Sequence, residues 1–133
     1  MNKKFIVGVF VFAAVLYLGA LPVAQAKSME FKGILSDAAC WKAGTAGDGT
    51  DMKASPEKHT VACLKMPGCE ASGYGILMKD AAGKYEFTKF DAAGNKMAID
   101  LLKKTMKKDN MTVKVMGTKQ MGMIKVESIV ETE

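Results

Sequence analysis

Tyr74-Gly-Ile-Leu-Met-Lys79, Asp80-Ala-Ala-Gly83, Lys84-Tyr-Glu-Phe-Thr-Lys-Phe90: two short apolar and aromatic runs flank a four-residue turn. Glycine supplies the positive φ of a tight reversal, so the stretch predicts a hairpin with strands at 74–79 and 84–90. What lies on either side of it decides the fold. Downstream, residues 95–108 carry Met97, Ala98, Leu101 and Leu102 at helical spacing. Lys103, Lys104, Lys107 and Lys108 crowd the end of that run, where a helix dipole favours cations, and Asn110 can leave it in the left-handed region. Alternation then resumes. Residues 111–118 put Met111, Val113 and Val115 on one face, and residues 123–131 put Ile124, Val126 and Val130 on one face. Gln120-Met121-Gly122 reads as the tight turn between them. Upstream, residues 29–36 read as a first strand with Phe31 and Leu35 facing one way.

Five strands with a helix between the third and fourth is the order of the OB fold. The expected class is therefore all-β with one or two short helices, an OB-like five-stranded Greek-key barrel. Barrel closure would remove the open edges of so short a sheet. The alternative is an open α+β sheet with the helix packed on one face.

The N-terminus bounds the location. Lys3-Lys4, an apolar run over 5–21, Pro22 and Ala24-Gln25-Ala26 are the three regions of a secretory signal at 1–26. Cleavage after Ala26 leaves one domain, 27–133, in the periplasm or outside the cell, with no further membrane contact. The alternative is a retained anchor, since about 20 apolar residues span a bilayer. No cysteine follows the apolar run, which argues against a lipid anchor. The net charge is +5, all basic side chains are lysines, and they are spread along the chain. Nucleic-acid proteins cluster their positive charge more strongly, so none is expected as a partner.

Residues 37–73 form an insertion between the first and second strands. Its first part, 37–55, is rich in glycine and alanine and reads as loop. Ser55-Pro56-Glu57 is a helix start, predicting a short helix over 56–64 that Pro67-Gly68 ends. The insertion holds all three cysteines, Cys40, Cys63 and Cys69, and the only histidine, His59. Two readings stay open. Exported small domains use disulfides because their cores are marginal. A bridge from Cys40 to Cys63 or Cys69 would stabilise by about 3–4 kcal/mol in the chain-entropy account and leave one thiol over. The other reading is a soft-metal site for copper or zinc using Cys40, His59, Cys63, Cys69 and Met66. In a helix, His59 and Cys63 would share one face at i, i+4. Eleven methionines, all but the first beyond residue 26, supply core filling or thioether ligands, Met121 and Met123 among them. A second histidine for a blue-copper centre is lacking, as are Cys-x-x-Cys and Cys-x-x-Cys-His. Asp37 reads as a turn residue accepting backbone N–H bonds, or as a ligand or base. Trp41 reads as a plug over the insertion. No hydrolase, phosphate-loop or zincin motif is present, and an enzyme is not expected.

The pattern Gly33-Ile-Leu-Ser-Asp37-Ala-Ala-Cys40, His59-Thr-Val-Ala-Cys63 with Cys69 and Gly73, then Met111-Thr-Val113-Lys-Val115-Met-Gly117 and Ile124-Lys-Val126-Glu-Ser-Ile129 resembles small exported bacterial OB-fold-like proteins of unassigned function. The resemblance covers most of the chain beyond residue 26 and implies the fold rather than an activity. This sequence has one more residue between His59 and Cys63 than that pattern, and no second histidine near Cys40. The resulting expectation is a non-enzymatic binding or accessory domain stapled by a disulfide and serving an envelope protein or a small ligand. The alternative is a periplasmic copper or zinc binder or a thiol redox protein.

Overall fold

The computed structural model describes residues 26–133. The leader read at 1–26 lies, but for its last residue, outside the described residues. Five strands carry the fold: β1 (Met29–Asp37), β2 (Tyr74–Lys79), β3 (Tyr85–Phe90), β4 (Thr112–Gln120) and β5 (Met123–Glu131). They are ordered β1-β2-β3-β5-β4, and β4 returns to pair with β1, so the ring of strands closes and no open sheet remains. All pairings are antiparallel except β3 with β5, a short parallel seam of Lys89↔Met123 and Phe90↔Ile124.

The strands form where alternation and turn chemistry agree. Gly83 takes φ 78° in the β2–β3 hairpin. Met121 and Gly122, at φ 48° and 76°, make the β4–β5 reversal, the pair of positive φ values that a primed turn needs. Phe31, Leu35, Ile76, Val113, Val115, Ile124 and Val126 point inward and, with Phe90, Tyr74 and Met111, make the main core. Val130 does not join them and is 46% exposed. The pairing of β4 with β5 slips between Met116 and Gly117, leaving Glu127 as an extra residue, and the slip turns the end of β5 over.

The helix α4 (Ala92–Lys104) starts and stops earlier than 95–108. Asp91 caps it, its Oδ1 accepting from the Gly94 amide at 2.9 Å, and a cap outweighs the weak helix propensity of the first turn. The same oxygen accepts from the Val126 amide at 3.2 Å, while the Asp91 amide donates to Ile124 at 3.0 Å. Lys103 and Lys104 close the last turn as expected, but Lys107 and Lys108 lie beyond it. Asn110 is left-handed at φ 47°, in the link to β4 rather than at the helix end.

The insertion differs most from expectation. Within it, three α-helical segments and a 3₁₀ turn replace the one short helix read from sequence. They include α1 (Ala38–Ala43) in the supposed loop, α2 (Val61–Leu64) and α3 (Pro67–Ser72). The single helix at 56–64 is broken, because Pro56–Lys58 is a 3₁₀ turn and His59 and Thr60 are extended. Pro67-Gly68 starts a helix instead of ending one, with proline at its first position. Helices this short are unstable alone and survive on caps and burial. The burial is a second apolar cluster on the outer face of β1–β2–β3. There Ile34 and Leu77, facing away from the barrel, meet Cys40, Ala46, Met52, Cys63 and Cys69. Ile34 pairs with Leu77 across the strands, and their neighbours Leu35 and Ile76 face inward, so this part of the sheet is apolar on both sides. The ends of the insertion meet at one rung, Asp37↔Tyr74.

Candidate metal centre

Each cysteine is the third residue of a short helix: Cys40 in α1, Cys63 in α2, Cys69 in α3. The shared phase has a local cause in two of the three. Asp37 Oδ1 accepts from the Cys40 amide at 2.9 Å, and Thr60 Oγ1 from the Cys63 amide at 3.2 Å. Each is a side-chain N-cap acting on the third helical residue. In α3 no side-chain cap exists, and Pro67 sets the start. Gly44 at φ 79° ends α1, its amide donating to the Cys40 carbonyl at 3.0 Å.

The three helix starts converge. The sulfurs of Cys40, Cys63 and Cys69 lie within 4.8 Å of one another, and Cys40 Sγ is 3.8 Å from Cys69 Sγ. All three are free thiols and buried. His59 joins from the side: its ring lies within 4.8 Å of Asp37 and Cys40, and also of Asp48 and Cys63. It is 1% exposed, and neither ring nitrogen has a hydrogen-bond partner. His59 Nε2 stands 3.9 Å from Asp37 Oδ2, which is itself buried and unpartnered. Burial lowers the His59 pKa, against the pull of Asp37 and Asp48, which favours the neutral imidazole, the form that can ligate. Burial pushes the Cys40 thiol up, and the Asp37 carboxylate adds to this; the Gly47 amide works the other way. Burial and then Asp37 push Cys69 up to about 11. These two sulfurs therefore keep their protons until a cation takes their place.

Asp48 holds the arrangement from outside. Burial alone would raise its carboxyl. Hydrogen bonds from the Thr60 amide and hydroxyl, both at 2.7 Å, and from the Thr50 amide hold it below the usual carboxylate range. By gripping Thr60 it fixes the cap of α2 and the approach of His59. Its part was missed in the sequence, where only its place beside Gly47 and Gly49 in a loop is visible.

Three buried cysteines beside a His/Asp cluster can hold a metal ion. Of the sequence-predicted donors, Cys40, Cys63 and Cys69 come together, and His59 lies beside Cys40 and Cys63 but is not grouped with Cys69; His59 and Cys63 meet without sharing a helix. Met66 caps α3 and is 51% exposed. Met121 and Met123 are exposed at the β4–β5 turn, outside the buried cluster. Asp37 accepts a backbone amide, as a turn residue would, and keeps its second oxygen for the histidine side. Trp41 covers the outer cluster: it stacks on Phe87 with centroids 6.4 Å apart, and Lys53 Nζ sits 2.8 Å above its ring. Among the described residues no helix is long and apolar enough to cross a membrane. No protein-family model matches this chain, and neither the curated proteins nor the solved structures contain a match.

Proposed function

We propose that this domain is an exported, non-enzymatic module that binds a thiophilic metal ion, Zn(II) or Cu(I), through Cys40, Cys63, Cys69 and His59, on an OB-like Greek-key barrel. The observation that carries the reading is His59: buried, with no partner for either nitrogen, and beside the thiols of Cys40 and Cys63. An unsatisfied buried polar group costs about 1–3 kcal/mol, and a site that keeps one has a use for it. The sulfur spacing supports the same conclusion. Zinc–sulfur bonds of about 2.3 Å in a tetrahedron set sulfurs about 3.8 Å apart, and Cys40 and Cys69 stand at 3.8 Å. Asp37 would orient the imidazole from behind, as carboxylates do in zinc–histidine pairs. The strand order, with the helix between the third and fourth strands, supports the OB-like reading, and the N-terminal pattern supports export.

The competing reading is a disulfide staple in an accessory domain serving an envelope protein or a small ligand. It draws on the same contact: oxidation would bring Cys40 and Cys69 from 3.8 Å to about 2.05 Å. It leaves His59 and Cys63 without a role. Native mass spectrometry of the protein purified from an exporting host decides between them. Metal binding requires one stoichiometric ion, three reduced thiols and one proton released per ligated thiol on reloading the metal-free chain. A chain lacking two hydrogens, with no metal adduct, overturns it in favour of the staple.

A further inference from the structure

Gly47 lies over the cluster, its amide directed at the Cys40 thiol, yet nothing in the fold requires that it lack a side chain. Gly47 is exposed, and its backbone is not in the left-handed region that favours glycine. A Cβ there would meet Cys63 Sγ at 3.5 Å and Met66 Sδ at 4.0 Å, ordinary contact distances. A methyl group would therefore fit, lying against the sulfurs of Cys63 and Met66. The loop that carries Gly47 is fixed on both sides. The Ala46 amide donates to Thr50 at 2.9 Å, the Gly49 amide to Ala46 at 2.9 Å, Thr45 bridges Asp51, and Asp48 grips Thr60. Gly47 is therefore held in place beside Cys63 and Met66. The sulfurs of Met66, a half-exposed residue, and of Cys63, a buried one, both lie beside Gly47.

We propose that Gly47 and Met66 form the port through which Cu(I) passes into and out of the cluster, the Met66 thioether being the first donor it meets and Cys63 the second. The site is thus an exchange site for a soft monovalent cargo rather than a sealed structural one. This inference rests on the metal-binding reading above. A thioether is a ligand for Cu(I) and a poor one for zinc, which identifies the cargo. Handover proceeds by ligand exchange: a Cu–thioether bond breaks as a Cu–thiolate bond forms, the thiol proton leaves to water, and the copper stays Cu(I) throughout.

The test is the rate of Cu(I) transfer from the loaded chain to excess bathocuproine disulfonate, set beside the equilibrium affinity from competition with the same chelator. Met66→Leu, a substitution at a half-exposed side chain, should slow transfer about tenfold, a barrier increment of about 1.4 kcal/mol, with affinity changed less than about threefold. Gly47→Val should slow transfer at least as much, and Gly47→Ala less. Zn(II) exchange should slow with Gly47→Val and not with Met66→Leu. Transfer at the wild-type rate in Met66→Leu overturns the port. So does a loss of affinity in step with rate, which would make Met66 a resident ligand. A wild-type chain that takes up no Cu(I) or Zn(II) sinks the metal reading itself, before any variant is compared.

Discussion

Replacing His59 by leucine should raise the stability of the metal-free protein and lower its response to metal. The side chain is 1% exposed and its two nitrogens lack partners. A neutral imidazole buries one donor and one acceptor, and each left unsatisfied costs about 1–3 kcal/mol. Leucine is of similar volume, so no large cavity opens, and a volume-conserving swap costs under about 1.5 kcal/mol. The 3.9 Å approach of Nε2 to Asp37 offsets little, because burial favours the uncharged ring. The balance favours His59→Leu by roughly 1 kcal/mol in chelator, about 4 °C or more in Tm for a domain of this size. With metal the comparison changes. A ligand at a thousandfold its Kd stabilises by about 4 kcal/mol, and a site short of one donor, weakened tenfold or more, forfeits at least about 1.4 kcal/mol of that. Thermal unfolding followed by circular dichroism, with EDTA and with a slight excess of Zn(II), reads both quantities. The variant should melt higher in EDTA and gain fewer degrees from zinc. An equal zinc-induced rise in the two proteins refutes the assignment of His59 as a ligand, and a lower melting point in EDTA refutes the claim that its nitrogens are unsatisfied.

Three further outcomes follow from the geometry. The metal-free native protein should be alkylated slowly at Cys69: a thiol moved from 9.0 to about 11 has about a hundredfold less thiolate at pH 8, and iodoacetamide labelling mapped by peptide mass should show at least that protection relative to the unfolded chain. Tyr74 donates its hydroxyl to the Leu64 carbonyl at 2.7 Å, and burial raises its pKa above the ordinary value of 10.0; its contribution is complete below pH 10.0 and is lost as pH rises above it, when the unfolded chain ionises first, so Tyr74→Phe should cost about 1 kcal/mol near neutrality and flatten the alkaline limb of a urea-unfolding series. A Cβ on Gly33 would overlap the backbone carbonyl of Leu77, and one on Gly94 would overlap Val126 and the Cβ of Phe90, atoms held close to their backbones; each change to alanine should therefore destabilise by more than about 2 kcal/mol, Gly94→Ala despite the roughly 1 kcal/mol of helix propensity that alanine recovers.

The strands were legible because each carries its own signal. Gly83 and Gly122 mark the reversals, and alternation marks Thr112–Gln120 and Met123–Glu131. The misplaced Val130 shows the limit: a bulge at Glu127 changes the face of every residue after it, and it arises from pairing with β4 rather than from β5 alone. The helices of the insertion were hidden for a related reason. Four to six residues carry no period, and α1, α2 and α3 exist because Asp37, Thr60 and Pro67 start them and because Ile34 and Leu77 give them an apolar floor. The donors of the site were all readable as residue types. Their convergence was not, since it depends on three helix starts in the same phase, and neither the role of Asp48 nor the place of Gly47 beside the sulfurs follows from composition.

Asp91 gives the ring of strands an uneven character. Its backbone and one carboxylate oxygen tie together the last residue of β3, the first turn of α4 and the middle of β5, at the one seam where the strands run parallel and pair over Lys89, Phe90, Met123 and Ile124 alone. The seam cannot part without releasing the helix start, and the helix cannot fray from that end without loosening the seam. The two therefore open as one unit, and the amide protons of Gly94 and Val126 should exchange with solvent at a common rate although they sit in different elements. Asp91→Ala would separate those rates and, with them, the unity of the barrel's unfolding.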